Sequence, residues 1–120
     1  MKFEIYQIRI GRAVYDQVNL LGHSEAAKRF PEYAAELESH FSDEWNSKNW
    51  KFYKHVANIE ARDLSNVFEI GNIGPVSNIE YLSTMHSLSV GDIVSDGKSF
   101  WLCAPIGWKQ VHPNNAEVAA

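Results

Sequence analysis

The chain lacks most of the features that mark a specialised class. It has a single cysteine, Cys103, so no disulfide can close within it, and a reducing cytoplasm is the expected setting. No apolar run approaches the roughly 18 residues of a membrane-spanning helix, so no membrane partner is expected. The opening Met1-Lys2-Phe3-Glu4-Ile5-Tyr6-Gln7 alternates polar and apolar residues, where a signal peptide needs a continuous apolar stretch. Excess positive charge is also missing. With 11 Lys and Arg against 15 Asp and Glu, the net charge is −4. That is the wrong sign for a dedicated duplex-binding domain, whose affinity comes largely from neutralising phosphates. The acidity is also too mild to imitate nucleic acid. Asp63, Glu69, Glu80, Asp92 and Asp96 stand between residues 63 and 97 without one Lys or Arg, and a solvated acidic surface is the plain reading.

The familiar catalytic patterns are absent too. There is no G-x-S-x-G elbow, and Cys103 falls inside an expected strand, where a buried inert thiol is the natural reading. His23, His40, His55, His86 and His112 show neither HxH nor HxxxH spacing and there is no CxxC, so no metal and no cofactor is expected. The carboxylate pairs Asp43-Glu44 and Glu36…Glu38 lie in no apolar setting that would raise a pKa for acid–base work. Gly71-x-x-Gly74 shares only its spacing with a phosphate-gripping loop. Its middle residues are Asn and Ile with no base nearby, which reads as a turn.

What is present is ordinary globular composition: 120 residues, 45% hydrophobic and 22% charged, enough for one domain over 1–112 with a frayed tail at 113–120. Residues 2–10 read as a strand with Phe3 and Ile5 on one face and Tyr6, Ile8 and Ile10 on the other, apolar on both sides and therefore central in its sheet. Val14, Val18 and Leu21 share a side of a helix over 13–21, closed by Gly22. Ser24 is placed to cap a turn at 25–29. Pro31 suits the first turn of a helix running to Phe41. There Phe30, Ala34, Leu37 and Phe41 form the apolar stripe, while Glu32, Glu36, Ser39 and Asp43 form an outer acidic face.

Residues 42–50 read as a loop. The stretch 51–60 fits strand better than helix because β-branched and aromatic residues dominate. Asp63 is the expected cap of a helix over 64–70, with Leu64, Val67 and Phe68 inward and Gly71 closing it. A helical turn follows at 76–82. Ser95-Asp96-Gly97-Lys98 signals a two-residue hairpin turn, which sets Ile93 opposite Phe100 and Val94 opposite Ser99. Trp108 to Val111 makes a last short strand. The expected class is α+β: a small mixed or antiparallel sheet with a C-terminal β-hairpin, and three to four short helices packed on it.

Two stretches suggest contacts. Four tryptophans is a high count, and exposed aromatics anchor interfaces. Together with the acidic helix face this nominates Glu32, Glu36, Asp43, Trp45, Trp50 and Trp108 for binding a protein. Lys48, Trp50, Lys51, Phe52 and Lys54 interleave bases with rings, a pattern suited to single-stranded nucleic acid. The same pattern fits a half-buried strand whose lysines reach to water.

The most distinctive segment is His86-Ser87-Leu88-Ser89-Val90-Gly91-Asp92-Ile93-Val94, followed by Asp96-Gly97-Lys98, the strand Phe100–Cys103 and Gly107-Trp108-Lys109-Gln110-Val111. With Ala61-x-Asp63-Leu64-x-x-Val67-Phe68 upstream, it resembles the YodL-like domain family of small proteins carried by phages and conjugative elements. The resemblance covers residues 61–111. It implies a mobile-element setting, often beside antirestriction genes, and no reaction. His86, Ser87, Ser89 and Asp92 are the residues through which a catalytic alternative would have to run. The leading expectation is a non-enzymatic accessory protein that binds a host protein in counter-defence or host takeover, in the cytoplasm of the bacterial host, as monomer or homodimer. The runner-up is a small single-stranded nucleic-acid-binding protein.

Overall fold

β1 (Lys2–Ile8) is the organising element. Its alternation puts Phe3 and Ile5 into one buried cluster and Ile8 into another, so both faces must be covered. A computed structural model of the chain, describing residues 1–42 and 44–113, places β1 inside a six-stranded sheet of order β3-β2-β1-β4-β5-β6. The other strands are β2 (Tyr53–Glu60), β3 (Ile79–Tyr81), β4 (Ile93–Ser95), β5 (Phe100–Cys103) and β6 (Trp108–Val111), and every pairing is antiparallel. The α+β class and the C-terminal hairpin strands are as expected.

Helices cover both faces. α1 (Arg12–Leu21), α2 (His23–Arg29) and α3 (Pro31–Phe41) lie on one side, where Ala35 of α3 packs with Ile8, Ile93 and Leu102. Val18, Ala26 and Tyr33 join the three helices in a satellite cluster. α4 (Leu64–Asn72) covers the other side, its Val67 and Ile70 meeting Phe3, Ile5, Ile59 and Val94. Ile5, Ile59, Ile93, Val56, Val67 and Val94 are fully buried, each contributing about 1.5–3 kcal/mol against exposure to water.

Packing corrects several local expectations. Strict alternation over 51–60 fails because β2 carries a bulge: Ile5 pairs with Ala57 but Tyr6 with His55, leaving Val56 as the extra residue. Val56 and Ala57 consequently enter the same cluster under α4, while His55 turns to the opposite face. In α3 the buried residues are Tyr33 and Ala35, and Phe41 is 84% exposed. The side carrying Glu32, Glu36 and Ser39 is half-buried, so it is not the solvated outer face.

α2 starts from Gly22, with no side-chain cap from Ser24. Asp63 does cap α4, accepting from Asn66 N–H at 2.8 Å, and Phe68 points outward. Gly71 lies within α4 instead of closing it, and glycine fits there because a Cβ would stand 2.6 Å from Leu88 Cδ1. The turn expected at 76–82 is a 3-10 turn at Val76–Asn78 leading into β3.

The hairpin register is two residues longer than expected, with Ile93 opposite Leu102 and Ser95 opposite Phe100. The cause is Asp96, whose Oδ1 accepts from both Lys98 N–H and Ser99 N–H and so holds a four-residue loop. A shift by two preserves which face each side chain takes. Pro113 is buried. The remainder of the expected tail, 114–120, lies outside the described residues.

Candidate functional site

The segment 86–92 packs Leu88 against α4, runs into β4 and carries a dense polar network. Gln7, fully buried on β1, holds it at both ends. Its Nε2 donates to the His86 carbonyl and to Asp92 Oδ2, both at 3.0 Å, and its Oε1 accepts from His86 N–H at 3.2 Å. Asp92 Oδ2 also accepts from Ser89 N–H at 2.9 Å. Burial pushes the Asp92 carboxyl up to about 7, and the charge of Glu36 adds to this, against the lowering effect of the Ser89 and Gln7 donors.

The same segment is anchored by shape. Leu88 is buried against Gly71. Gly91, at φ +97°, lies so close to α3 that a Cβ would stand 2.6 Å from the Ser39 carbonyl oxygen. The Tyr53 hydroxyl donates to the Gly91 carbonyl, and burial raises that phenol well above its ordinary range.

His86, Ser87, Ser89 and Asp92 are thus brought together, but mainly through backbone groups. His86 Nδ1 lies 2.8 Å from the Ser87 carbonyl, so Nδ1–H is the donor that fits. His86 Nε2 is 4.0 Å from Asp92 Oδ1, near enough for attraction but beyond a hydrogen bond. Ser87 gives its carbonyl and Ser89 its N–H. Among the described residues no serine or cysteine side chain is hydrogen-bonded to a histidine ring, the contact that nucleophile activation requires. Cys103 is buried, and burial followed by the Asp92 charge raises its thiol to about 11. Among the described residues no group of three His, Cys, Asp or Glu is placed to hold a metal ion.

Beside this network lies a cleft of about 210 Å³ between the C-terminal end of α4, β3 and residues 85–87. Its lining mixes the polar Asn72, His86 and Ser87 with uncovered apolar side chains: Ile73 is 85% exposed, Val76 66% and Tyr81 53%. Uncovered large apolar side chains gathered at one cleft are a mark of interaction sites. Sequence reasoning missed it, although isolated Ile73 and Val76 flanking Gly74-Pro75 were a readable signal. Gln7 was missed as well. A polar residue in register with Phe3 and Ile5 on a buried face was its signal.

The nominated contact residues are dispersed. Trp50 is half-buried, its ring 5.1 Å from Tyr6, 5.6 Å from Tyr53 and 5.5 Å from Phe100. Trp45 and Trp108 pack on the two cores. The exposure that nominated the tryptophans is therefore mostly taken up by packing. Glu32 is half-buried, and Glu36 is also half-buried and accepts from the Tyr15 hydroxyl at 3.2 Å; Asp43 lies outside the described residues. Lys48, Lys51 and Lys54 are exposed, but the rings between them, Trp50 and Phe52, pack against the cluster around Ile8 and Tyr53. Lys51 Nζ sits 5.2 Å from the Phe52 ring centroid. No described helix is long and apolar enough to cross a membrane. Comparison with protein-family models, curated proteins and solved structures returns no match.

Proposed function

We propose that the chain is a non-enzymatic protein-binding accessory protein of a phage or similar mobile element, acting on a host protein in the bacterial cytoplasm. The observation that carries the binding reading is the group of uncovered apolar side chains, Ile73, Val76 and Tyr81, at the α4–β3 cleft. The mobile-element setting and a counter-defence role rest on the resemblance of residues 61–111 to the YodL-like family. The polar residues that resemble chemistry serve the fold, and the apolar ones beside them lack a partner within the described chain.

The test is affinity capture from a bacterial host lysate, with and without nuclease, using wild type, Ile73→Glu and Lys51→Glu. One stoichiometric protein that survives nuclease, stays with Lys51→Glu and is lost with Ile73→Glu is the expected result. Capture unaffected by Ile73→Glu removes this surface from the reading. Material lost to nuclease and to Lys51→Glu replaces it with single-stranded nucleic-acid binding through the Lys48–Lys54 stretch.

A further inference from the structure

The two edges of the sheet differ. β6 carries Lys109 on its short edge strand, a residue type that discourages strand addition. β3 carries no Lys or Arg, and neither occurs from residue 63 to residue 97, where His86 of the cleft lining is the one basic side chain. The backbone of β3 is partly open. Leu82 N–H donates to the Val56 carbonyl at 2.9 Å, which sets the bonded rungs at Val56–Leu82 and Asn58–Glu80. Alternation then turns Ile79 and Tyr81 outward. The Ile79 N–H is taken by the Val76 carbonyl, leaving the Ile79 carbonyl and both backbone groups of Tyr81 facing away from the sheet.

The side chains at this edge are sorted by face. Ile79 and Tyr81 line the cleft, which mixes apolar side chains with the polar Asn72, His86 and Ser87. Glu80 lies on the opposite face, in a cross-strand row with Asn58 and Glu4. Its Oε1 accepts from Asn58 Nδ2 at 2.6 Å, which fixes the carboxylate at the edge.

Resting on the protein-binding reading above, we propose that β3 receives an extended segment of the partner, alternating apolar and basic residues, as an added strand. Apolar side chains enter the cleft beside Ile79 and Tyr81, and Lys or Arg meets Glu80. Three backbone groups offer few hydrogen bonds, so the cleft supplies most of the affinity and Glu80 the choice of partner. A second copy of this chain fits poorly, because antiparallel pairing centred on β3 would set Glu80 against Glu80 between two chains of net charge −4.

The probes are three short capped peptides: alternating valine and lysine, alternating valine and glutamate, and valines followed by lysines in two blocks. The readout is hydrogen exchange of the Tyr81 amide by NMR. The alternating valine–lysine peptide slows that exchange by about tenfold or more at saturation, and the other two leave it unchanged. Glu80→Gln weakens its binding by about tenfold without altering the fold.

An unchanged Tyr81 amide overturns the proposal, as does equal protection by the block peptide. Protection that grows with protein concentration in the absence of peptide assigns the edge to a second copy and overturns it too. Where the captured partner is still lost with Ile73→Glu but the Tyr81 amide never responds, the strand mode alone falls and the protein-binding reading stands.

Discussion

Two neighbouring regions divide the work between them. Segment 86–92 contains the residues that look chemical, a histidine, two serines and an aspartate, and the chain itself occupies His86 Nδ1 and Asp92 Oδ2 among their side-chain atoms. Gln7 and Ser89 N–H satisfy Asp92 Oδ2, His86 Nδ1 meets the Ser87 carbonyl, and Gly91 is pressed against α3. Segment 73–82 carries Glu80 as its one charged residue, and Ile73, Val76, Tyr81 and Leu82 are more than half exposed while Ile79 packs on the core. Residue type alone points to the first region as the site. Accounting for partners points to the second, because a group already bonded inside the fold has little left to offer a ligand.

The sharpest way to break this contrast is at Gly91. Gly91→Ala places a Cβ in the left-handed region and 2.6 Å from backbone of α3, which cannot retreat without moving a whole helix. The expected loss is about 3 kcal/mol or more, read as a fall of about 10 °C in thermal unfolding followed by circular dichroism. A loss below about 1 kcal/mol would mean that α3 and the segment are not in fixed contact, and the internal role of 86–92 would fail.

Asp92 tests the same region through pH. Its carboxyl is raised to about 7 in the folded chain, mainly by burial, against an ordinary value of 3.8. The unfolded chain therefore releases this proton first. The contribution of Asp92 to stability is full below about pH 4, declines as pH rises towards 7 and levels off above it. Asp92→Asn keeps an oxygen for Gln7 and Ser89 N–H and carries no charge. The difference in unfolding free energy between wild type and variant should move by about 2–4 kcal/mol across that window, in the direction of a relatively weaker wild type at higher pH. A flat difference would show Asp92 ionised throughout, well solvated by its donors.

What the sequence disclosed, and what it hid, follows the same division between local and non-local causes. The two faces of β1, the start of α3 at Pro31 and the Asp63 cap each depend on a few adjacent residues, and each was legible. The bulge at Val56, the inward turn of Tyr33 and Ala35 in place of the expected stripe, and the placement of Gly71 inside α4 depend on partners far along the chain. Val56 can stand out of register because α4 covers the face it joins, and no local pattern carries that information. The tryptophans misled for a related reason. Loop position suggested exposure for Trp45 and Trp50, and the aromatic cluster around Tyr6 and Tyr53 absorbs them.

The four-residue loop at 96–99 is a smaller test of locality. Asp96→Ala removes the acceptor for Lys98 N–H and Ser99 N–H. In an exposed loop this costs about 1 kcal/mol, measurable by urea unfolding. Cross-strand NMR contacts should still show Ile93 opposite Leu102, because Ala-Gly lacks the Asp-Gly preference for the shorter turn, and a move of Ile93 to Phe100 would show that Asp96 alone sets the register.

The smallest expected effect is the most informative about the exposed region. Ile73 is 85% exposed and Val76 66%, so Ile73→Ser with Val76→Ser removes little buried surface and should change unfolding free energy by no more than about 0.5 kcal/mol. Apolar side chains that leave stability untouched serve something other than the fold, and the double variant should lose the captured partner while unfolding like wild type. If it instead costs 2 kcal/mol or more, on the order of a buried aliphatic side chain, those residues are covered in solution by part of the chain itself. The contrast between a satisfied segment and an unsatisfied edge would then dissolve, and the argument for docking at the α4–β3 cleft with it.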